Sequence, residues 1–169
     1  MSGPSSTSPT HGTSLPATDT ARRAWLAILA RAPRALLEQA LSEALPHGLP
    51  PFDWLRAPET GLTMVRGRVG GSGDAFNLGE ATVTRATLRL RATSEIPLTV
   101  GIAYQLGRDK RRAELAALSD ALLQVPAYHE AVYSHLIQPL AAQLESQRAT
   151  ARQAAAATRV EFFTMVRGD

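Results

Sequence analysis

The chain has 169 residues, of which 44% are hydrophobic and 20% charged, and its formal net charge is +3. This length fits one ordinary domain, and the composition supports a buried core and excludes wholesale disorder. The chain contains no cysteine, which excludes disulfides, thiolate metal sites and a thiol nucleophile. It has no apolar run near the roughly 18 residues of a membrane span and no apolar N-terminal stretch typical of a secretory signal. We therefore expect a cytoplasmic protein that does not bind a membrane.

The first part of the chain divides into a tail and two helices. Residues 1–18 are rich in Ser, Thr, Pro and Gly, so we predict a disordered tail there and a single domain over residues 19–169. Thr18 or Asp19 can cap a first helix whose apolar residues follow helical spacing. A second helix follows Pro33 and ends near a Pro-His-Gly turn, which predicts a helical hairpin.

The middle of the chain changes to the alternating period of β-strands. Three runs, residues 62–69, 81–90 and 98–106, are typical of strands, and Phe52–Arg56 adds a short candidate edge strand. In the second run arginines alternate with leucines, so one face is predicted to enter a core while the other presents arginines. Strands joined by short connections favour antiparallel pairing, so we predict a sheet of about four strands.

The last third is predicted to be helical, with a strand-like end. Apolar residues repeat at helical spacing from residue 115 to residue 140, with Pro139 as a kink or a new helix start. Residues 141–158 form a helix with a thin apolar face. Residues 160–166 are β-branched and aromatic, which indicates a strand that docks on this domain or on a partner. The sequence therefore predicts an α+β fold with helices before and after an antiparallel sheet.

The sequence has no recognisable catalytic or metal-binding pattern. The four histidines lack the i,i+4 spacing of a helical metal pair, so we expect no metal site. Ser134 and His135 are adjacent, which does not make a triad, and there is no Gly-x-Ser-x-Gly elbow. The carboxylates near the predicted sheet have no fixed distances, so we expect solvated loop carboxylates in preference to an acid/base pair. The catalytic residues are therefore unknown, and no cofactor is expected.

Two segments are candidate anion or partner sites. Gly70, Gly71 and Gly73 lie in a glycine-rich loop after a strand, which fits either a tight bulged connection or a backbone that binds an anion. Arg108 and Lys110 lie at a strand-to-helix junction, where extra cations oppose the helix dipole. That unfavourable placement indicates binding of phosphates or an acidic partner; the alternative is a solvated basic turn. The arginine stripe at residues 148, 152 and 159 has no interleaved aromatic residues, so we expect no nucleic-acid binding.

Several separate strings, in one order, are similar to those of a known family. They are Glu59–Gly61, Gly70–Glu80, Thr82–Arg85, Ala103–Tyr104, Gly107–Lys110, Ala113–Leu115, Asp120–Gln124 and Phe162–Asp169, with the early Trp25. These strings resemble the PhnG family, the G subunits of the bacterial carbon–phosphorus lyase core complex. The resemblance covers roughly residues 20–169, everything except the predicted tail.

The resemblance implies a role in phosphonate breakdown. Such proteins act with PhnI, PhnH, PhnJ and the ATPase-like PhnL. PhnI, helped by the G, H and L subunits, displaces adenine from ATP with methylphosphonate, and the product is α-D-ribose 1-methylphosphonate 5-triphosphate. Cleavage of the carbon–phosphorus bond belongs to PhnJ and its iron–sulfur cluster, and the absence of cysteine here agrees that this chain carries no such cluster.

Three hypotheses follow for this chain. The first is an accessory subunit that binds the PhnI-like subunit through the glycine-rich loop, the Arg108 junction and a terminal segment containing Phe162, Phe163, Met165 and Arg167. The second is that Arg85, Arg108 and Lys110 bind triphosphate or phosphonate oxygens directly, since arginine forks match such oxygens. The third is a free-standing anion-binding module.

Overall fold

Helices precede and follow one block of strands in this computed structural model, which describes residues 19–68, 73–94 and 96–157. The elements are α1 (Asp19–Leu29), α2 (Arg34–Ala44), β1 (Phe52–Gly67), β2 (Phe76–Leu90), β3 (Thr99–Leu106), α3 (Lys110–Leu123), α4 (Pro126–Val132), a π-helical turn (Tyr133–Ile137) and α5 (Gln138–Ala157). The predicted α+β class is confirmed. The predicted disordered tail and the strand-like terminal segment lie outside the described residues.

The described strands form one antiparallel sheet in the order β1-β2-β3. The expected count of about four strands is wrong by one, because the candidate edge strand Phe52–Arg56 and the next predicted strand are a single strand of 16 residues. Pro58 lies where the β1–β2 register shifts, between Arg56 and Glu59. Proline donates no backbone hydrogen bond, and a bulge in an edge strand accommodates it without ending the strand.

One face of the sheet packs against α3 and forms the core. Ala86, Leu88 and Leu90 of β2 are buried on this face, as are Gly101 and Ala103 of β3. A Cβ atom on Gly101 would collide with the carbonyl oxygen of Ala117, so only glycine lets α3 approach this closely. The alanines of α3 make the same approach possible from the helix side.

A buried carboxylate joins the N-terminal helix to this core. The side chain of Asp120, on α3, is fully buried and accepts hydrogen bonds from Trp25 Nε1 (2.9 Å), Arg22 Nη2 (2.7 Å) and the Ile102 backbone N–H (3.0 Å). Arg22 Nη2 also donates to the Val100 carbonyl at 3.1 Å. These bonds satisfy part of the outer edge of β3, and within the described part of the chain this edge meets side chains and no other strand.

The helical run after α4 contains a π-turn immediately before Pro139. The Gln138 N–H donates to the Tyr133 carbonyl, five residues back. A proline in a regular α-helix clashes with the carbonyl four residues earlier, and a π-turn widens the helix at that point. The predicted break at Pro139 therefore takes the form of a wider turn, and the helix continues as α5.

We expect Asp120→Ala to lower the free energy of unfolding by about 3 kcal/mol, because it leaves a guanidinium and two N–H donors without their shared acceptor. Chemical denaturation measures the change. The control is Glu130→Ala, a change at an exposed helical position that should stay within about 0.5 kcal/mol of the wild type. Equal stability of the Asp120 variant and this control would contradict the assigned role.

Candidate functional site

The second face of the sheet has none of the described helices over it and carries large apolar side chains of β3. Val100, Ile102, Tyr104 and Leu106 share this face, and Tyr104 and Leu106 are 61% and 68% exposed. The buried positions of the same strand hold smaller or polar residues, among them Gly101 and Gln105. The usual apolar-in, polar-out arrangement is thus reversed in β3, and at Gly101 the closely packed α3 leaves no room for a side chain. An exposed sheet face of this kind is typical of a surface that meets another molecule.

A groove of about 560 Å³ lies on this open side of the sheet. It is lined by residues 59–63 of β1, by Val83 and Arg85 of β2 and by Tyr104 of β3. Apolar and polar groups contribute to its walls, so it suits an amphipathic group better than a purely apolar one.

Arg85, predicted as an anion or partner-binding residue, lies at this groove, where it is already paired. Its Nε atom is 2.6 Å from Glu59 Oε1, which also accepts from Arg56 Nη1 at 2.7 Å. The hydrogen bond from Arg56, followed by that from Arg85, lowers the pKa of the Glu59 carboxyl, and the hydrogen bond to Glu59 raises the pKa of Arg85. Any anion that binds Arg85 must therefore compete with a carboxylate already in place.

A second ion-pair group follows along the same face. Asp53 Oδ1 is 2.8 Å from Arg91 Nη2, and Asp53 Oδ2 is 3.6 Å from Arg89 Nη2. The hydrogen bond from Arg91 lowers the pKa of Asp53. The sequence pattern predicted that β2 presents arginines on one face, and this is confirmed; each of the β2 arginines is paired with a carboxylate of β1.

Three charged residues of the strand-to-helix junction bond to other parts of the fold. Asp109 caps α3 by accepting from the Arg112 backbone N–H at 3.0 Å. The Arg112 side chain donates to the Ala32 and Ala30 carbonyls at 2.7 and 3.0 Å, and so it caps the end of α1. Arg111 pairs with Glu114 at 2.6 Å. These three residues therefore serve the fold.

Arg108 and Lys110 are exposed, and neither forms an ion pair with any residue that the structure describes. Gly107 fixes their position: its N–H donates to the Thr82 carbonyl at 2.9 Å and its carbonyl accepts from Thr84 Oγ1 at 2.7 Å. The two cations thus follow the end of β3, close to the strand pair that lines the groove. Of the predicted anion-binding residues, these two are the ones with uncommitted charge in the described part of the chain.

Gly73 of the glycine-rich loop is well separated from these cations. It is described and exposed, whereas Gly70 and Gly71 lie outside the described residues. Gly73 precedes Phe76, the first residue of β2, whereas Gly107, which precedes Arg108, bonds to Thr82, six positions further along β2. At about 3.3 Å per residue this is roughly 20 Å along the strand. The structure therefore places the Arg108 junction beside the middle of β2, three positions from Arg85, and leaves Gly73 before the start of that strand.

The predicted terminal docking residues lie outside the described residues. They are Phe162, Phe163, Met165 and Arg167. In the arginine stripe of α5, Arg148 and Arg152 both pair with Glu145, at 3.5 and 3.3 Å. Within residues 19–68, 73–94 and 96–157, no group of three His, Asp or Glu side chains could hold a metal ion, and no helix is long and apolar enough to cross a membrane.

Sequence reasoning missed the Glu59 pairing and the groove beside Tyr104. The signal was present in β3, where Gly101 and Ala103 alternate with four large apolar residues. Small residues at one set of alternate positions indicate close helix packing, which directs the large residues outward.

We expect the Glu59 carboxyl to titrate below its ordinary pKa of 4.5. The ion pairs therefore contribute stability above that pH, and the contribution is lost as the pH falls through the lowered pKa. Carboxyl NMR should show Arg56→Gln and Arg85→Gln each raising the midpoint. Asp53 is the internal control, since its partners are Arg91 and Arg89 and its midpoint should not move. An unchanged Glu59 midpoint in both variants would refute the pairing.

Comparison with known proteins agrees with the motif strings. The family model described as phosphonate metabolism protein PhnG matches residues 20–168. A curated relative, the alpha-D-ribose 1-methylphosphonate 5-triphosphate synthase subunit PhnG of Rhizobium meliloti (strain 1021), is 49% identical over 148 residues, which cover 88% of this chain and 90% of the relative. The predicted resemblance is thereby confirmed, and the chain belongs to the PhnG family.

Proposed function

We propose that this chain is an accessory subunit of an alpha-D-ribose 1-methylphosphonate 5-triphosphate synthase, a transferase complex of phosphonate catabolism. The observation that carries this proposal is the 49% identity to a curated subunit of that synthase, extending over 90% of the relative's length. In this role the chain assists a PhnI-like subunit, which exchanges the adenine of ATP for methylphosphonate. PhnH-like and PhnJ-like subunits and a PhnL-like ATPase-type protein are the further partners, and the cytoplasm is the proposed location.

The geometry supports an assisting role better than a catalytic one. The charged side chains of the open sheet face form ion pairs with one another. Asp109, Arg111 and Arg112 form ion pairs or hydrogen bonds that hold the helices in place. The open sheet face carries large apolar side chains, which fits a surface that contacts another subunit. The proposed contact surfaces are the glycine-rich loop, the Arg108–Arg112 junction and the terminal segment Phe162–Asp169.

A second candidate function is direct binding of triphosphate or phosphonate oxygens. The observation that favours it is the exposure of Arg108 and Lys110 without an ion-pair partner among the described residues. Arg85 fits this function less well, because its Nε atom is already hydrogen-bonded to the Glu59 carboxylate. The direct contribution therefore falls mainly on the strand-to-helix junction, where backbone N–H groups of the helix start add to the attraction for an anion.

The accessory role predicts that the full chain co-purifies with the PhnI-like subunit and raises its release of adenine from ATP in the presence of methylphosphonate. Deleting residues 162–169 should abolish co-purification, because that apolar segment is a proposed contact. Liquid chromatography of released adenine and a tagged pull-down provide the two measurements. Adenine release that does not depend on the chain would refute the accessory role, whereas a truncated chain that binds as tightly as the full one would refute only terminal docking.

Replacing Arg108 and Lys110 by Ala distinguishes the two functions. Docking predicts that affinity for the complex falls by about fivefold or more, with turnover per assembled complex unchanged. Direct binding predicts the reverse: an intact complex and lost turnover. Arg152→Ala is the matched control, since this exposed arginine lies on α5 and pairs with Glu145. If the double variant behaves like this control in both measurements, neither function involves the junction.

A further inference from the structure

The β1–β2 pair extends beyond the third strand as a two-stranded arm. Pairing between β2 and β3 ends at Val83 and Leu106, whereas β1 and β2 remain paired from Leu62–Thr82 to Gly67–Phe76. We call residues Leu62–Gly67 and Phe76–Thr82 the arm. Its six paired positions reach about 20 Å beyond the three-stranded part of the sheet. A two-stranded ribbon alone in water is at best marginally stable, so such an arm gains from a partner.

The arm exposes large apolar side chains on its helix-side face. Thr60 is hydrogen-bonded to the buried Thr84 at 3.0 Å, so it lies on the same face as the core. Side chains alternate along a strand, which places Leu62 and Met64 on that face too. They are 68% and 50% exposed, because the helices do not extend over the arm.

The opposite face of the arm is apolar as well. Val65 lies on it, because Val65 is separated from Glu59 and Gly61 by an even number of positions along β1 and alternate residues of a strand share a face. The register shift after Val65 leaves Leu78 as the extra residue of a bulge. A Cβ on Gly67 would be 2.5 Å from Leu78 Cδ1, so Leu78, which is 60% exposed, covers Gly67 on this second face. Phe76, paired with Gly67, is also exposed.

The charge of the arm is confined to one of its faces. Its charged residues are Arg66 and Glu80, and both are at positions of the helix-side face. In the β1–β2 register Arg66 is opposite Asn77, and Glu80 is opposite Met64. The second face has none. A surface that covers the arm must therefore be mainly apolar, with its polar groups confined to the edge of one side.

We propose that the arm inserts into an apolar cleft of another subunit, which covers both of its faces at once. A flat surface would cover one face and leave Leu62 and Met64, or Val65 and Leu78, in water. The described part of a second copy offers no apolar cleft among its larger grooves. The 560 Å³ groove is itself lined by Leu62 and Thr63, so it belongs to the surface that needs covering. The grooves of about 410 and 240 Å³ on the helices are lined by charged side chains, among them Glu145 and Glu43. The occupant is therefore a different chain, and this assignment rests on the proposed function.

Two double variants separate the faces. Leu62→Thr with Met64→Thr alters the helix-side face, and Val65→Thr with Leu78→Thr alters the second face; threonine keeps the strand propensity. The matched control is Leu55→Thr with Leu98→Thr, two exposed apolar residues outside the arm. We expect each arm variant to bind the other subunits of the synthase at least about tenfold more weakly, with an unchanged Tm, and the control to bind within about twofold of the wild type.

The outcomes distinguish the alternatives. If only one arm variant binds the other subunits more weakly, the arm docks on a flat surface and the proposed cleft is wrong. If both arm variants bind like the wild type, the arm is not the contact surface. An isolated chain that is dimeric in ultracentrifugation, and monomeric only in the arm variants, assigns the surface to a second copy. If the wild-type chain itself does not bind, the proposed function fails and the assignment to another subunit fails with it.

Hydrogen exchange provides a measurement that needs no variant. In the wild-type complex, the backbone amides of both arm strands should exchange at least about tenfold more slowly than in the free chain. Unchanged exchange in the arm, alongside protection elsewhere on the sheet, would overturn the proposal even where the complex forms.

Discussion

The structure depends on the close contact between α3 and β3, which a glycine and a buried aspartate make possible. Gly101 lets the helix backbone contact the strand. Asp120 accepts hydrogen bonds from two side chains of α1, Arg22 and Trp25, and from a backbone N–H of β3. A buried carboxylate is costly unless each of its lone pairs has a donor, so the geometry of the three elements is tightly specified. With α3 fixed here, the inner face of β3 has no room for a side chain at Gly101, whereas Gln105, further along the strand, is buried and donates to the Leu29 carbonyl.

The close packing of α3 on β3 determines which side chains lie on the surface. The large residues of β3 are displaced to the open face, and β1 and β2 continue beyond the described helices, which leaves apolar side chains of that extension exposed. The charged residues divide in the same way. Arg112 and Asp109 cap helix ends, the arginines of β2 pair with carboxylates of β1, and Arg108 and Lys110 are left exposed. Function is therefore to be sought on the apolar face and at the strand-to-helix junction.

Local patterns in the sequence were sufficient to predict the element types, the antiparallel pairing, the arginine face of β2 and the family. They failed where distant residues decide the outcome. Residues 52–56 and 62–69 are predicted as separate strands, yet a bulge and an edge position let β1 run through Pro58 as one strand. The apolar alternation in β3 does not say which face is buried, because that depends on the fit between Gly101 and Ala117, 16 positions apart. The pairing of Arg85 with Glu59 likewise depends on register, which the sequence alone does not provide.

Among the described residues, the outer edge of β1 is long and pairs with no other strand, which has a consequence for how the chain is made in the cell. Strand edges with exposed N–H and C=O groups recruit other strands, and apolar side chains beside them strengthen the attraction. Pro58 and the bulges around it interrupt pairing near the start of β1, whereas its arm carries no proline. A chain synthesised in excess of its partners would present this edge to chaperones, proteases and other copies. Balanced synthesis of the subunits is therefore a physical requirement of this architecture.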